Sequence, residues 1–235
     1  MNDNIDSKCI GNRRFIIELR FDHKANVADK KGSIIEGIKA LNLFSVCHWE
    51  MNNANAVIFD NVEKNNARNI VRLGLDTFSF ISTKIDSVSA YYDYFEKIYK
   101  IVVEQIGSLN IRRIGCRIQG TYKTKSSDFH TIFSKMKEDF PTKFYLEKYN
   151  AEDILFQVNY PNGMYNVGPV KKEHDPFVDT NFAYEDHTTH VGVAIDTDNF
   201  LSNEKVCIND NKLIKEVYIL SLSVEKDLYD NLKDY

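Results

Sequence analysis

Residues 86–107, D-S-V-S-A-Y-Y-D-Y-F-E-K-I-Y-K-I-V-V-E-Q-I-G, hold the pattern on which the fold turns. Val88, Tyr91, Phe95, Ile98 and Val102 recur every three or four positions, while Asp93, Glu96, Lys97, Lys100 and Glu104 fall on the opposite side. This is the periodicity of an amphipathic helix, with Asp86 or Ser87 as its N-cap and Gly107 as its stop. At about 1.5 Å per residue the helix spans roughly 30 Å, enough to cross several strands lying about 4.8 Å apart. Its apolar stripe demands a sheet, and the flanking segments supply one.

Residues 13–21 (R-R-F-I-I-E-L-R-F) alternate as a strand: Phe15, Ile17, Leu19 and Phe21 on one face, Arg14, Ile16, Glu18 and Arg20 on the other. Residues 33–44 step at helical spacing with Ser33 as N-cap. Strands are predicted at 47–51 and 56–62 around the turn residues N-N-A-N, and a single long strand at 70–85, bent near Gly74. The order then restarts. Residues 111–122 (I-R-R-I-G-C-R-I-Q-G-T-Y) open with the same R-R-apolar start as residue 13, a helix follows at 127–139, and strands are expected at 143–149, 154–160 and 190–196. The last segment, 211–232, is read as a helix because Leu213, Val217, Leu220, Val224, Leu228 and Leu232 keep the helical step.

These segments predict an α+β fold: a curved antiparallel sheet with helices packed on one face and two similar halves, in the manner of helix-grip or TATA-binding-protein-like folds. The expected organisation is a flexible tail at 1–12, a first β-α-β-β-β-α half at 13–110 and a second at 111–235, sharing one sheet. No Gly-rich phosphate turn or alternating strand–helix run supports a Rossmann-type fold.

Thirty Lys and Arg against thirty-four Asp and Glu give a net charge of −4, which lends no long-range attraction to nucleic acid. Cys9, Cys47, Cys116 and Cys207 are scattered singly, without C-x-x-C spacing, as in a reduced cytoplasmic protein. No run of about 18 apolar residues points to a membrane span. A homo-oligomer is left open.

The runs E-L-R-F (18–21), V-R-L-G-L-D-T-F-S-F (71–80), S-A-Y-Y-D-Y-F-E-K-I-Y-K-I-V (89–102) and R-I-G-C-R-I (113–118) together resemble a sporadically distributed bacterial family of unknown function that carries an R-I-G-L-R-Y strand after an amphipathic helix. The resemblance covers roughly residues 13–122 and thins beyond, where V-G-V-A-I-D (191–196) is similar to a later strand. Cys116 stands where the family has Leu, and Ile118-Gln119 where it has Tyr and a hydrophobic residue. A patchy distribution implies a mobile system, of the phage-defence or toxin–antitoxin type.

Two sets of residues are candidates for a site. Glu18, Arg20, Arg72, Asp76, Arg113, Arg117 and Gln119 fall on polar strand positions, where they would either line a surface that binds an anion, a peptide or a nucleic-acid backbone, or pair across strands. The second set lies around E-D-H-T-T-H (185–190): His174, His187, His190 and Asp196, which a metal-dependent hydrolase would need. Its spacing matches no zinc or iron motif, and alternation sends positions 187 and 190 to opposite faces of a strand. Asp196, Asp198 and Asn199 are a further oxygen-rich set for a hard cation, without the Gly and terminal Glu of an EF-hand. Residues 161–187 carry three of the four prolines and are read as a long irregular loop. Cys116 falls on an apolar strand face as a buried thiol. The sequence thus favours a non-enzymatic protein with no cofactor, recognising a protein partner or small ligand. The hydrolase with its metal ion is the alternative, and nucleic-acid binding on the arginine face the weaker one.

Overall fold

The computed structural model describes residues 5–46, 48–63, 67–83, 87–139, 152–172, 190–202 and 211–235. The elements run β1 (Ile10–Phe21), α1 (Val27–Ala40), β2 (His48–Met51), β3 (Asn55–Phe59), β4 (Asn69–Gly74), β5 (Thr77–Ser82) and α2 (Val88–Ile106). They continue as β6 (Ile111–Lys123), α3 (Phe129–Asp139), β7 (Phe156–Tyr160), β8 (Gly163–Val170), β9 (Gly192–Ser202) and α4 (Asn211–Leu232). The nine strands among the described residues form one antiparallel sheet in the order β2-β3-β4-β5-β1-β6-β9-β8-β7.

The two longest strands, β1 and β6, meet at the centre, with Phe15 opposite Ile118, Ile17 opposite Cys116 and Leu19 opposite Ile114. These six side chains share one face, and α1, α2 and α4 bury it in the main core. On the β8–β9 side the same face continues through Tyr122, Val193, Ile195 and Val167, covered by Ile132 and Met136 of α3 and by Tyr229 and Leu232 of α4. The four α-helices of the described residues therefore lie on one side of the sheet, as the alternation in β1 requires.

Helix α2 follows its sequence pattern closely. Ser87 Oγ accepts from Ala90 N at 3.1 Å, Gly107 takes a left-handed φ of 80°, and Tyr91, Phe95, Ile98 and Val102 are fully buried. Each large apolar side chain buried this way contributes about 1.5–3 kcal/mol. Tyr91 stacks on Phe80 and donates to its carbonyl at 2.7 Å, and Tyr92 stacks on Tyr218 of α4, so aromatic contacts tie α2 to sheet and helix alike.

Several expectations are corrected. Residues 70–85 are not one bent strand: β4 and β5 form a hairpin around Leu75-Asp76. Helix α1 begins at Val27, six residues before Ser33, with Asn26 at its N-cap. Residues 163–170, expected within an irregular loop, are strand β8, paired on both sides by β7 and β9. Within the expected tail Ile5 is buried, and β1 already begins at Ile10. The 190–196 strand runs instead from Gly192 to Ser202. Helix α4 forms as predicted, but its inward stripe is Ile214, Val217, Tyr218, Ser221, Glu225, Tyr229 and Leu232, and Leu220 faces outward. The strand expected at 143–149 lies outside the described residues, as does Cys47. Among the described residues, no helix is long and apolar enough to cross a membrane.

Candidate functional site

The face of the sheet away from the helices carries the polar positions. Four rows of neighbouring residues cross its centre, each fixed by strand register. The first is Thr77, Arg20, Arg113 and Ser202; the second is Ser79, Glu18, Gly115 and Phe200. The third is Ile81, Ile16, Arg117 and Asp198, and the fourth holds Arg14, Gln119, Asp196 and Asn166.

The fourth row is closed. Arg14 Nε donates to Gln119 Oε1 at 2.7 Å, and both residues are buried. Arg117 binds Asp196 through two hydrogen bonds of 2.8 and 2.7 Å, and Asn166 Nδ2 donates to the same carboxylate at 3.3 Å. Paired in this way, Gln119 and Arg117 hold the sheet together rather than offering donors to a ligand. Arg72 lies on β4 opposite Ser79 and Val57, two strands from β1. Toward β3, the third row meets a small apolar cluster of Phe59, Ile70 and Ile81 with Ile16 packed on it, so this face is not uniformly charged.

The first row differs. Arg20 and Arg113 are direct cross-strand neighbours, a like-charge pair that repels. Arg20 Nε donates to Glu18 Oε1 at 2.8 Å. The Arg113 guanidinium meets Glu18 only at 3.6 Å and Asp198 at 3.8 Å, beyond hydrogen-bonding distance. Instead it lies 4.9 Å from the centre of the Phe200 ring and over Gly115. The three heavy atoms nearest to a Cβ placed on Gly115 all belong to that guanidinium, at 3.4–3.7 Å, so a methyl group would just touch it and a larger side chain would displace it. Asp198 is raised above its ordinary pKa by burial, which outweighs the opposing pull of Arg113 and Arg117.

This end of the sheet opens into a cleft of about 720 Å³ whose walls include Arg20, Arg113, Arg112, His23, Asp76 and Ser202. Arg112 is ion-paired to Asp22, with side chains 70% and 40% exposed, and His23 lies 3.7 Å from Asp76. The structure thus brings Glu18, Arg20, Asp76 and Arg113 to one end of the face and places Arg117 and Gln119 farther along it. Sequence reasoning missed Arg112, His23 and Ser202. The repeated R-R start at 13 and 112 was the available signal for Arg112.

On the helix side, the start of β1 hides another unforeseen group. Arg13 Nε donates to Glu225 Oε1 at 2.8 Å, its Nη2 donates to Oε2, and the Tyr122 hydroxyl donates to Oε1. The Arg13 and Glu225 side chains are 8% and 1% exposed, so this is a buried charge pair clamping α4 to β1 and β6.

For the metal set, His174 and His187 lie outside the described residues. Asp196 is engaged by Arg117 and Asn166, and His190 packs against Gly11 and Thr121. Asn199 points to the helix side while Asp196 and Asp198 point away from it, so those three cannot share a cation. Among the described residues, no group of three His, Cys, Asp or Glu is placed to hold a metal ion. Burial pushes the Cys116 thiol up to about 12, the state of an inert core cysteine.

A scan of the chain against protein-family models found no match, and a search of curated proteins found no similar sequence.

Proposed function

We propose that the chain is a non-enzymatic binding protein that recognises a protein partner or small ligand through the face of its sheet away from the described helices, at the end where Arg20 and Arg113 meet. The observation that carries this reading is Arg113, a mostly buried guanidinium at the wall of a cleft with no hydrogen bond among the described residues. Glu18 and Asp198 hold it only at ion-pair distance, so its donors remain available to a ligand or partner at the cleft wall.

The element order supports a finer reading of the architecture. β-α-β-β-β-β-α is followed by β-α-β-β-β-α, the first strands of both runs pair at the centre, and the last strand of each lies beside its own first. We read this as two similar halves, 13–110 and 111–235, in the TATA-binding-protein-like or helix-grip manner. With the R-I-G-C-R-I strand, it also fits the resemblance to the sporadic bacterial family, and with it a cytoplasmic role in a mobile system of the phage-defence or toxin–antitoxin type.

Nucleic-acid binding is disfavoured because Arg20, Arg112 and Arg117 are each paired with a carboxylate and the chain is net negative. The test is native mass spectrometry of the protein purified gently from its own host. The wild type is expected to carry mass beyond the chain, and the double variant Arg20→Ala/Arg113→Ala to lose it while keeping a native circular dichroism spectrum. Equal retention by the variant, or a bare chain from the wild type, counts against the reading.

A further inference from the structure

The cleft's chemistry narrows what it takes, on the reading that the sheet face away from the described helices is the recognition surface. Arg20 spends its Nε on Glu18, Arg112 its Nε on Asp22, and Arg113 makes no hydrogen bond, so the terminal Nη groups of all three lack hydrogen-bond partners among the described residues. A guanidinium presents its donors as a fork that matches the oxygens of a phosphate or carboxylate two at a time. Ser202, beside Arg113 in the same row and on the cleft wall, adds a hydroxyl donor. The carboxylates nearby do not close the site. The exposed Arg112–Asp22 pair is of a kind worth only about 0–1 kcal/mol, so a ligand can displace it cheaply. A volume of about 720 Å³ lies within the usual range of small-molecule sites.

We infer that this cleft is a receptor for an oxyanion, the phosphate or carboxylate group of a small ligand, with Arg113 as its central donor and Arg20, Arg112 and Ser202 around it. Gly115 is the positioning residue: the Arg113 guanidinium lies over it, beside Glu18 and the Phe200 ring, at the wall of the cleft.

Isothermal titration calorimetry of the full chain at low ionic strength, with pyrophosphate in one arm and citrate in the other, tests this. Saturable one-site binding is expected, at least tenfold weaker in Arg113→Gln and unchanged in Arg117→Gln, whose side chain is committed to Asp196. Binding of pyrophosphate alone identifies a phosphate ligand, and of citrate alone a carboxylate ligand. Gly115→Val, which keeps every charge but fills the berth of Arg113, is expected to weaken binding about as much. Should Arg113→Gln fail to fold, Gly115→Val and the exposed Arg112→Gln carry the same comparison. No saturable heat with either anion, or affinity unchanged in these variants, overturns the inference. If that happens while the species retained from the host still depends on Arg20 and Arg113, the anion site falls and the recognition surface stands. If anions bind but the host species ignores those residues, the reverse holds.

Discussion

Replacing Glu225 by Ala should be among the most damaging single changes in the molecule. The carboxylate is 1% exposed and receives Arg13 through two nitrogens and Tyr122 through its hydroxyl. Its removal strands a guanidinium that is 8% exposed and takes the acceptor from a buried phenol. Breaking a buried pair by removing one partner costs about 3–5 kcal/mol, because the surviving charge stays desolvated. For a chain of this size about 2–4 °C of Tm accompanies each kcal/mol, so the melting temperature should fall by roughly 6–20 °C. Urea unfolding followed by circular dichroism, with the same m value in both proteins, measures the loss directly. The double variant Arg13→Met/Glu225→Leu removes both charges and should recover most of the stability, since an apolar pair of similar volume is often neutral or better. A loss below about 1 kcal/mol in Glu225→Ala, or a double variant no better than the single one, would refute the buried clamp.

Two further outcomes follow from buried titratable groups. His190 has neither ring nitrogen hydrogen-bonded among the described residues, and burial, then Lys123, depresses its pKa. The unfolded chain, titrating near about 6.5, therefore binds the proton first. Stability should be full above that pH and fall as pH drops toward the folded pKa, and His190→Gln should flatten that slope in urea titrations; an unchanged slope counts against the assignment. Cys116, held near 12 by burial, should resist thiol reagents at pH 8 in the native protein and react only on unfolding, as peptide mapping of the labelled chain would show.

The parts of the fold that could be read beforehand are those buried on one side only. Period-2 alternation in 13–21 and 111–122 and the helical step in 88–106 survive because one face of each meets the core and the other meets solvent or charge. The β4–β5 hairpin was hidden because Ile70 and Ile81 build a second apolar cluster on the far face, so both faces of the segment look buried and the two-residue turn leaves no composition break. Strand β8 was hidden by Gly163, Gly168 and Pro169, residues that argue against a strand. Pro169 is tolerated because β7 ends its pairing at Val167, leaving only β9 beside it. In α4 the inward stripe includes Ser221 and Glu225, which apolar counting rejects; the partner that makes Glu225 acceptable stands 212 positions away.

The candidate site shows the same limit from the other side. Alternation placed Arg20 and Arg113 on the polar face, but only the antiparallel register of β1 and β6 makes them direct neighbours. Like charges at that position oppose the pairing of the two central strands. The fold holds them there with a shared Glu18, a ring at Phe200 and an empty place at Gly115, none of which discharges the donors of Arg113. Two rows along, Arg117 occupies an equivalent central position and is met by both oxygens of Asp196 at 2.7–2.8 Å. The sheet therefore can close a central arginine on a carboxylate, and does so for Arg117 but not for Arg113. A local rule broken on a rigid element, beside a cleft, is where recognition by an outside group best accounts for the residues present.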